Sequence, residues 1–81
     1  MKELRILIAD ESEFIRRRVR SLLTSHPHME IVGESATETE LLARVHELKP
    51  DVVLMDIATP HLGGLKVAKK ILAIDPSIAK A

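Results

Sequence analysis

At 81 residues the chain is sized for one small domain, and its apolar content of 46% is that of a globular protein rather than a disordered segment. Twelve basic residues balance twelve acidic ones, so composition points to neither nucleic acid nor an anionic membrane, and the lack of cysteine excludes disulfides and thiol chemistry. No apolar run approaches the roughly 20 residues that span a bilayer, and Met1-Lys2-Glu3 leads straight into a strand pattern without signal-peptide anatomy. A soluble cytoplasmic domain is the expectation.

Leu4-Arg5-Ile6-Leu7-Ile8-Ala9 is short, apolar and rich in β-branched residues, which predicts a strand over about 4–9 buried on both faces. Ser12 can cap a helix over about 12–25, whose apolar stripe is Ile15, Val19, Leu22 and Leu23 with Phe14 beside it. Arg16, Arg17, Arg18 and Arg20 fill the rest of that helix and read as a solvated face. Pro27 breaks it. A second strand over about 29–33 is more polar at its ends, as suits a sheet edge. Thr37 and Glu40 form a capping box before a helix over about 37–48, with Leu41, Leu42, Val45 and Leu48 as its buried stripe. A third strand follows over about 51–55, then a loop with Pro60 and Gly63-Gly64, then a helix over about 64–74 that Asp75-Pro76 stops. The βαβαβα rhythm predicts parallel strands joined by right-handed crossovers.

Two apolar runs end on acids: Asp10 and Glu11 after the first strand, Asp56 after the third. Open α/β sheets carry ligands at the carboxyl ends of their strands. Three carboxylates brought together there repel one another, which favours a hard divalent cation such as Mg2+ among them. The trio reads as a metal site with a nucleophile. The histidines read otherwise. His26 and His28 flank a proline with no carboxylate at ligand spacing, and His46 and His61 read as surface residues.

The stretches Ile6-Leu7-Ile8-Ala9-Asp10-Glu11-Ser12 and Lys49-Pro50-Asp51-Val52-Val53-Leu54-Met55-Asp56-Ile57, continuing to Pro60 and Gly64, resemble the receiver domains of two-component response regulators over the whole chain. The resemblance implies a flavodoxin-like (CheY-like) α/β fold with a parallel sheet. It further implies a chain truncated after the third βα unit, with strand order 2-1-3. Asp56 would be the phosphoacceptor for a sensor histidine kinase. Mg2+ would be held by Asp10, Glu11, Asp56 and the backbone carbonyl of Ala58. The pattern departs at Glu11 (more often aspartate), Thr59 (usually methionine) and Gly63 (commonly aspartate). The family's Ser/Thr after strand four and its lysine after strand five have no counterpart here.

With three strands alone, Val52–Met55 would be an exposed apolar edge and part of the first helix would lack its neighbour. A homodimer through the third strand is the expectation. Two readings follow: a signalling phosphoacceptor that turns over no external substrate, and a self-assembling fold fragment without phosphorylation. A small aspartate-nucleophile phosphatase would want an acid two residues after Asp56, where Ala58 stands.

Overall fold

The computed structural model describes residues 3–55, 69–71, 73–74, 77 and 79–80. Four strands and two helices are defined: β1 (Leu4–Ala9), α1 (Glu13–Leu23), β2 (Met29–Ser35), α2 (Glu38–Leu48), β3 (Val52–Met55) and β4 (Ala79–Lys80). Residues 69–71 and 73–74 are also helical. The strands form one parallel sheet in the order β2-β1-β3-β4. The expected order 2-1-3 is thus present, with β4 added beside β3.

β4 alters one expectation. Val52 and Val53 pair with Ala79 and Lys80, so the first half of β3 is not the bare edge foreseen from the sequence. Ala79 and Lys80 supply that cover. Among the described residues, the register of β3 with β4 covers Val52 and Val53 and not Leu54 or Met55.

β1 is the centre of the sheet because its apolar run can satisfy both faces. Ile6, Leu7, Ile8 and Ala9 are all buried, at 3% exposure or less. Leu7 and Ala9 join Leu41 and Val45 of α2, Val53 and Met55 of β3, and Ile71 in a single core cluster. Ile8 and Leu54 take the opposite face, beside Ile15 and Val19 of α1. Burying Leu41 and Val45 fully contributes roughly 1.5–3 kcal/mol each, which pins α2 to the sheet. No residue of α1 is fully buried, and Phe14 and Leu22 are each 66% exposed.

The helix starts follow the sequence closely. Ser12 Oγ accepts the Ile15 N–H at 3.2 Å, and Thr37 Oγ1 accepts the Glu40 N–H at 3.2 Å. The capping box is offset by one residue: Glu40 Oε1 takes the N–H of Ala36 at 2.9 Å rather than that of Thr37. α2 ends on Lys49 in the left-handed region, φ 47°, where its N–H still bonds the Val45 carbonyl.

β2 runs two residues past its expected end. The register with β1 shifts between Ile6 and Leu7, skipping Val32, and then pairs Ile8 with Glu34 and Ala9 with Ser35. Gly33 permits this. A Cβ there would lie 2.9 Å from Leu48 Cδ1 and 3.4 Å from Leu7 Cδ1, so a side chain would have to displace the tip of Leu48.

At the other end, β1 and β3 are stapled by Asp51. Its Oδ2 accepts the Arg5 N–H at 2.8 Å, and its own N–H donates to the Arg5 carbonyl at 2.8 Å. Asp51→Ala leaves a half-buried backbone donor without its charged acceptor. The expected cost is about 1–3 kcal/mol, seen as a lower urea midpoint at unchanged slope.

Candidate acidic site at the carboxyl edge of the sheet

Three parallel strands stop level with one another. Ala9, the last residue of β1, is paired with Ser35 on one side and Met55 on the other. Asp10 follows Ala9 directly and is half-buried, and Glu11 beyond it is exposed. Asp56 follows Met55 in sequence; it and Ala58 lie outside the described residues. The sheet therefore brings Asp10 and the end of β3 to one edge.

Asp10 is held at three atoms. Its N–H donates to the Ser35 carbonyl at 3.0 Å, extending the β1–β2 ladder by one bond. Its Oδ1 accepts the Ser12 N–H at 2.9 Å, closing an Asx turn into the N-cap of α1. Its own carbonyl accepts Arg16 Nη1 at 2.6 Å. Among the described residues, nothing donates to the second carboxylate oxygen, Oδ2. An oriented carboxylate with one oxygen in reserve is the donor type a hard cation takes. No group of three His, Asp or Glu side chains comes together among the described residues, a set that does not include Asp56.

A cavity of about 270 Å³ opens beside the site, between α1 and the ends of β1 and β3. Its lining is apolar (Ile8, Ile15, Val19, Leu54 and Met55 among others) apart from Asp10 at its edge. Behind the site, the buried Ser35 Oγ has no hydrogen-bond partner among the described residues.

The arginines of α1 divide in a way the sequence did not foretell. Arg17 pairs with Glu13 at 2.8 Å with both side chains largely exposed, and Arg18 lies 6.0 Å from the Phe14 ring centroid. Those two fit the expected solvated face. Arg16 and Arg20 do not: their Nε atoms reach the two oxygens of Glu34, at 3.0 Å and 2.8 Å. Arg16 retains only 15% side-chain exposure. Arg16, Glu34 and Ser35 are thus site neighbours that sequence reasoning passed over. The available signal was an arginine pair at i, i+4 facing an acid at the end of the neighbouring strand.

Burial alone would raise the Glu34 pKa. The hydrogen bonds and charges of Arg20 and Arg16 outweigh it and hold the carboxyl below the ordinary glutamate value. A depressed folded-state pKa stabilises the fold above the unfolded value, and that stabilisation is lost as pH falls through the folded one. Acid titration of stability should therefore show a loss below about pH 4.5. Glu34→Gln, compared by thermal melts across that range, should flatten it.

Comparisons with known proteins agree with this geometry. The family model for the response regulator receiver domain matches residues 6–79. A protein-glutamate methylesterase/protein-glutamine glutaminase of Alkalilimnicola ehrlichii is 37% identical over 93% of the chain, which spans 19% of that protein. The response regulator GacA of Pseudomonas viridiflava is 36% identical over 93% of the chain and 35% of its own length. The crystal structure of the response regulator domain of Thermotoga maritima CheB superposes with a TM-score of 0.85 at 36% identity, covering 94% of this chain and 57% of that one. A two-component response regulator of the LuxR family from Aurantimonas sp. gives a TM-score of 0.88 at 28% identity, covering 98% and 56%. The chain thus spans only a fifth to a third of these curated relatives.

Proposed function

This chain belongs to the response regulator receiver domain family, and from that premise we propose that residues 1–81 are the N-terminal part of a receiver module that accepts a phosphoryl group on Asp56 from a sensor histidine kinase. The observation that supports this reading is the register Ala9↔Met55, which brings the ends of β1 and β3 level, Asp10 following Ala9 in sequence and Asp56 following Met55. Asp10, Glu11, Asp56 and the carbonyl of Ala58 would hold Mg2+.

The chain's own residues do the following. An oxygen of the ionised Asp56 carboxylate attacks the phosphorus of a phosphohistidine, forming an O–P bond as the N–P bond breaks and its electron pair returns to the imidazole. Asp10 is held in orientation by the Ser12 N–H on Oδ1 and would offer Oδ2 to the cation. Ser35 and Arg16 fix its backbone. The bound ion would supply charge neutralisation at the phosphoryl oxygens. In this reading the module is a phosphoacceptor that turns over no external substrate. The methylesterase activity of the first relative belongs to a protein of which this chain covers 19%.

No helix among the described residues is long and apolar enough to cross a membrane. A cytoplasmic location, and a segment that itself contacts no nucleic acid, complete the reading. Self-association of the 81-residue chain is supported by the exposed Phe14, Ile15 and Leu22 of α1 and by the open apolar cavity beside Leu54. With β4 over Val52 and Val53, Leu54 and Met55 are the described part of β3 left for a contact between third strands. The fragment reading differs at one point: it keeps the dimer and loses the chemistry.

The test adds Mg2+ and beryllofluoride, a stable mimic of the phosphoryl group. Amide shifts at Glu11 and Ser12 should move with both present, and light scattering should report a dimer. A dimer whose amide spectrum ignores both additions would favour the fragment that self-assembles without phosphorylation.

A further inference from the structure

Arg16 joins the acidic site to the network behind it. Its guanidinium is split between two partners: Nη1 donates to the Asp10 carbonyl at 2.6 Å, and Nε donates to Glu34 Oε1 at 3.0 Å. Glu34 is itself anchored, since its other oxygen accepts Arg20 Nε at 2.8 Å. The planar fork of an arginine cannot satisfy both partners in more than a narrow range of orientations. The Asp10 carbonyl is therefore tied to β2 by a rigid link and not only by its place at the end of β1. With the backbone bonded on both sides of its Cα, the carboxylate of Asp10 swings little, and the Ser12 N–H on Oδ1 selects one rotamer.

We infer that Arg16 is a positioning residue of the acidic site: clamped by Glu34, it fixes the Asp10 backbone and so sets the orientation in which Asp10 Oδ2 meets Mg2+. The inference rests on the acidic-site reading above and deepens it by assigning a supporting shell outside the carboxylates. Partners that orient a metal ligand typically change affinity 10–100-fold when removed. Arg20 supplies an internal control, because it pairs with the same Glu34 while its own bond is to that carboxylate and not to Asp10. Loss of either arginine loosens the tie between α1 and β2, whereas only loss of Arg16 frees Asp10.

Four forms of the 81-residue chain decide the matter: the parent, Arg16→Met, Arg16→Lys and Arg20→Met. Without metal, hydrogen exchange at the Ser12 amide reads how firmly the Asp10 turn is held. With metal, Mg2+ titration by calorimetry reads affinity. Both Arg16 variants should exchange Ser12 several-fold faster and bind Mg2+ roughly tenfold more weakly, the lysine because it keeps charge without the fork. Arg20→Met should lower the melting temperature as Arg16→Met does, yet leave both readouts at parental values. Equal weakening by Arg20→Met, or parental exchange and affinity in the Arg16 variants, would overturn the assignment. A parent that binds no Mg2+ at all would overturn the acidic-site reading and the positioning role together.

Discussion

Asp56→Asn should take phosphoryl incorporation from a small-molecule phosphodonor to background, the largest functional effect expected of any single change. The asparagine amide matches the carboxylate in size but carries no charge, so it offers no nucleophilic oxygen. Asp51→Asn is the informative companion, since Asp51 sits at the opposite, amino-terminal end of β3 and serves the Arg5 staple. Its labelling should match the parent's. The pair separates loss of the acceptor from loss of one acid in general. Incorporation by Asp56→Asn at the parent's rate would remove the phosphoacceptor assignment outright.

Leu7→Ala should produce the largest loss of stability. Leu7 is 0% exposed at the middle of the central strand and packs into the cluster of Leu41, Val45, Val53 and Ile71. A leucine-to-alanine cavity at such a site costs about 3–5 kcal/mol. A chain of this length has roughly 4–12 kcal/mol in total to lose. Much of the population should then be unfolded near physiological temperature, as followed by far-ultraviolet circular dichroism. Leu22→Ala, at a side chain 66% exposed, should stay within about 0.5 kcal/mol of the parent. Burial, not residue type, decides between the two.

These contrasts bear on what was legible in the chain. The runs Ile6–Ala9 and Val52–Met55 announced buried parallel strands, because continuous apolar sequence of that length suits a strand covered on both faces. The caps at Ser12 and Thr37 and the stripe of α2 were equally plain, since each depends on residues within one turn. Asp10 and Glu11 could be placed at the sheet edge for the same reason: they follow the strand without a gap. What escaped was nonlocal. Arg16 looked like any solvated arginine until the fold brought it to Glu34, eighteen positions away. The extension of β2 through Gly33-Glu34-Ser35 carried no apolar signal, and it is defined by pairing with Leu7, Ile8 and Ala9 of β1. β4 is two residues long and pairs only through the sheet that receives it.

The α1 face illustrates the same limit from the other side. Its stripe was correctly read as apolar, but Phe14, Ile15 and Leu22 remain exposed because the described residues place nothing over them. Amphipathic spacing states which residues seek cover. It does not state what supplies it.

The central claim is that the carboxyl edge of this sheet directs a phosphoryl group to Asp56. Its most direct test is to treat the parent chain with a small-molecule phosphodonor, with and without Mg2+, reduce the acyl phosphate with borohydride, and map the modified residue by mass spectrometry. The account predicts conversion at residue 56 alone, and only with Mg2+ present. Conversion at Asp10, Glu11 or Asp51 instead, or none under either condition, would contradict it.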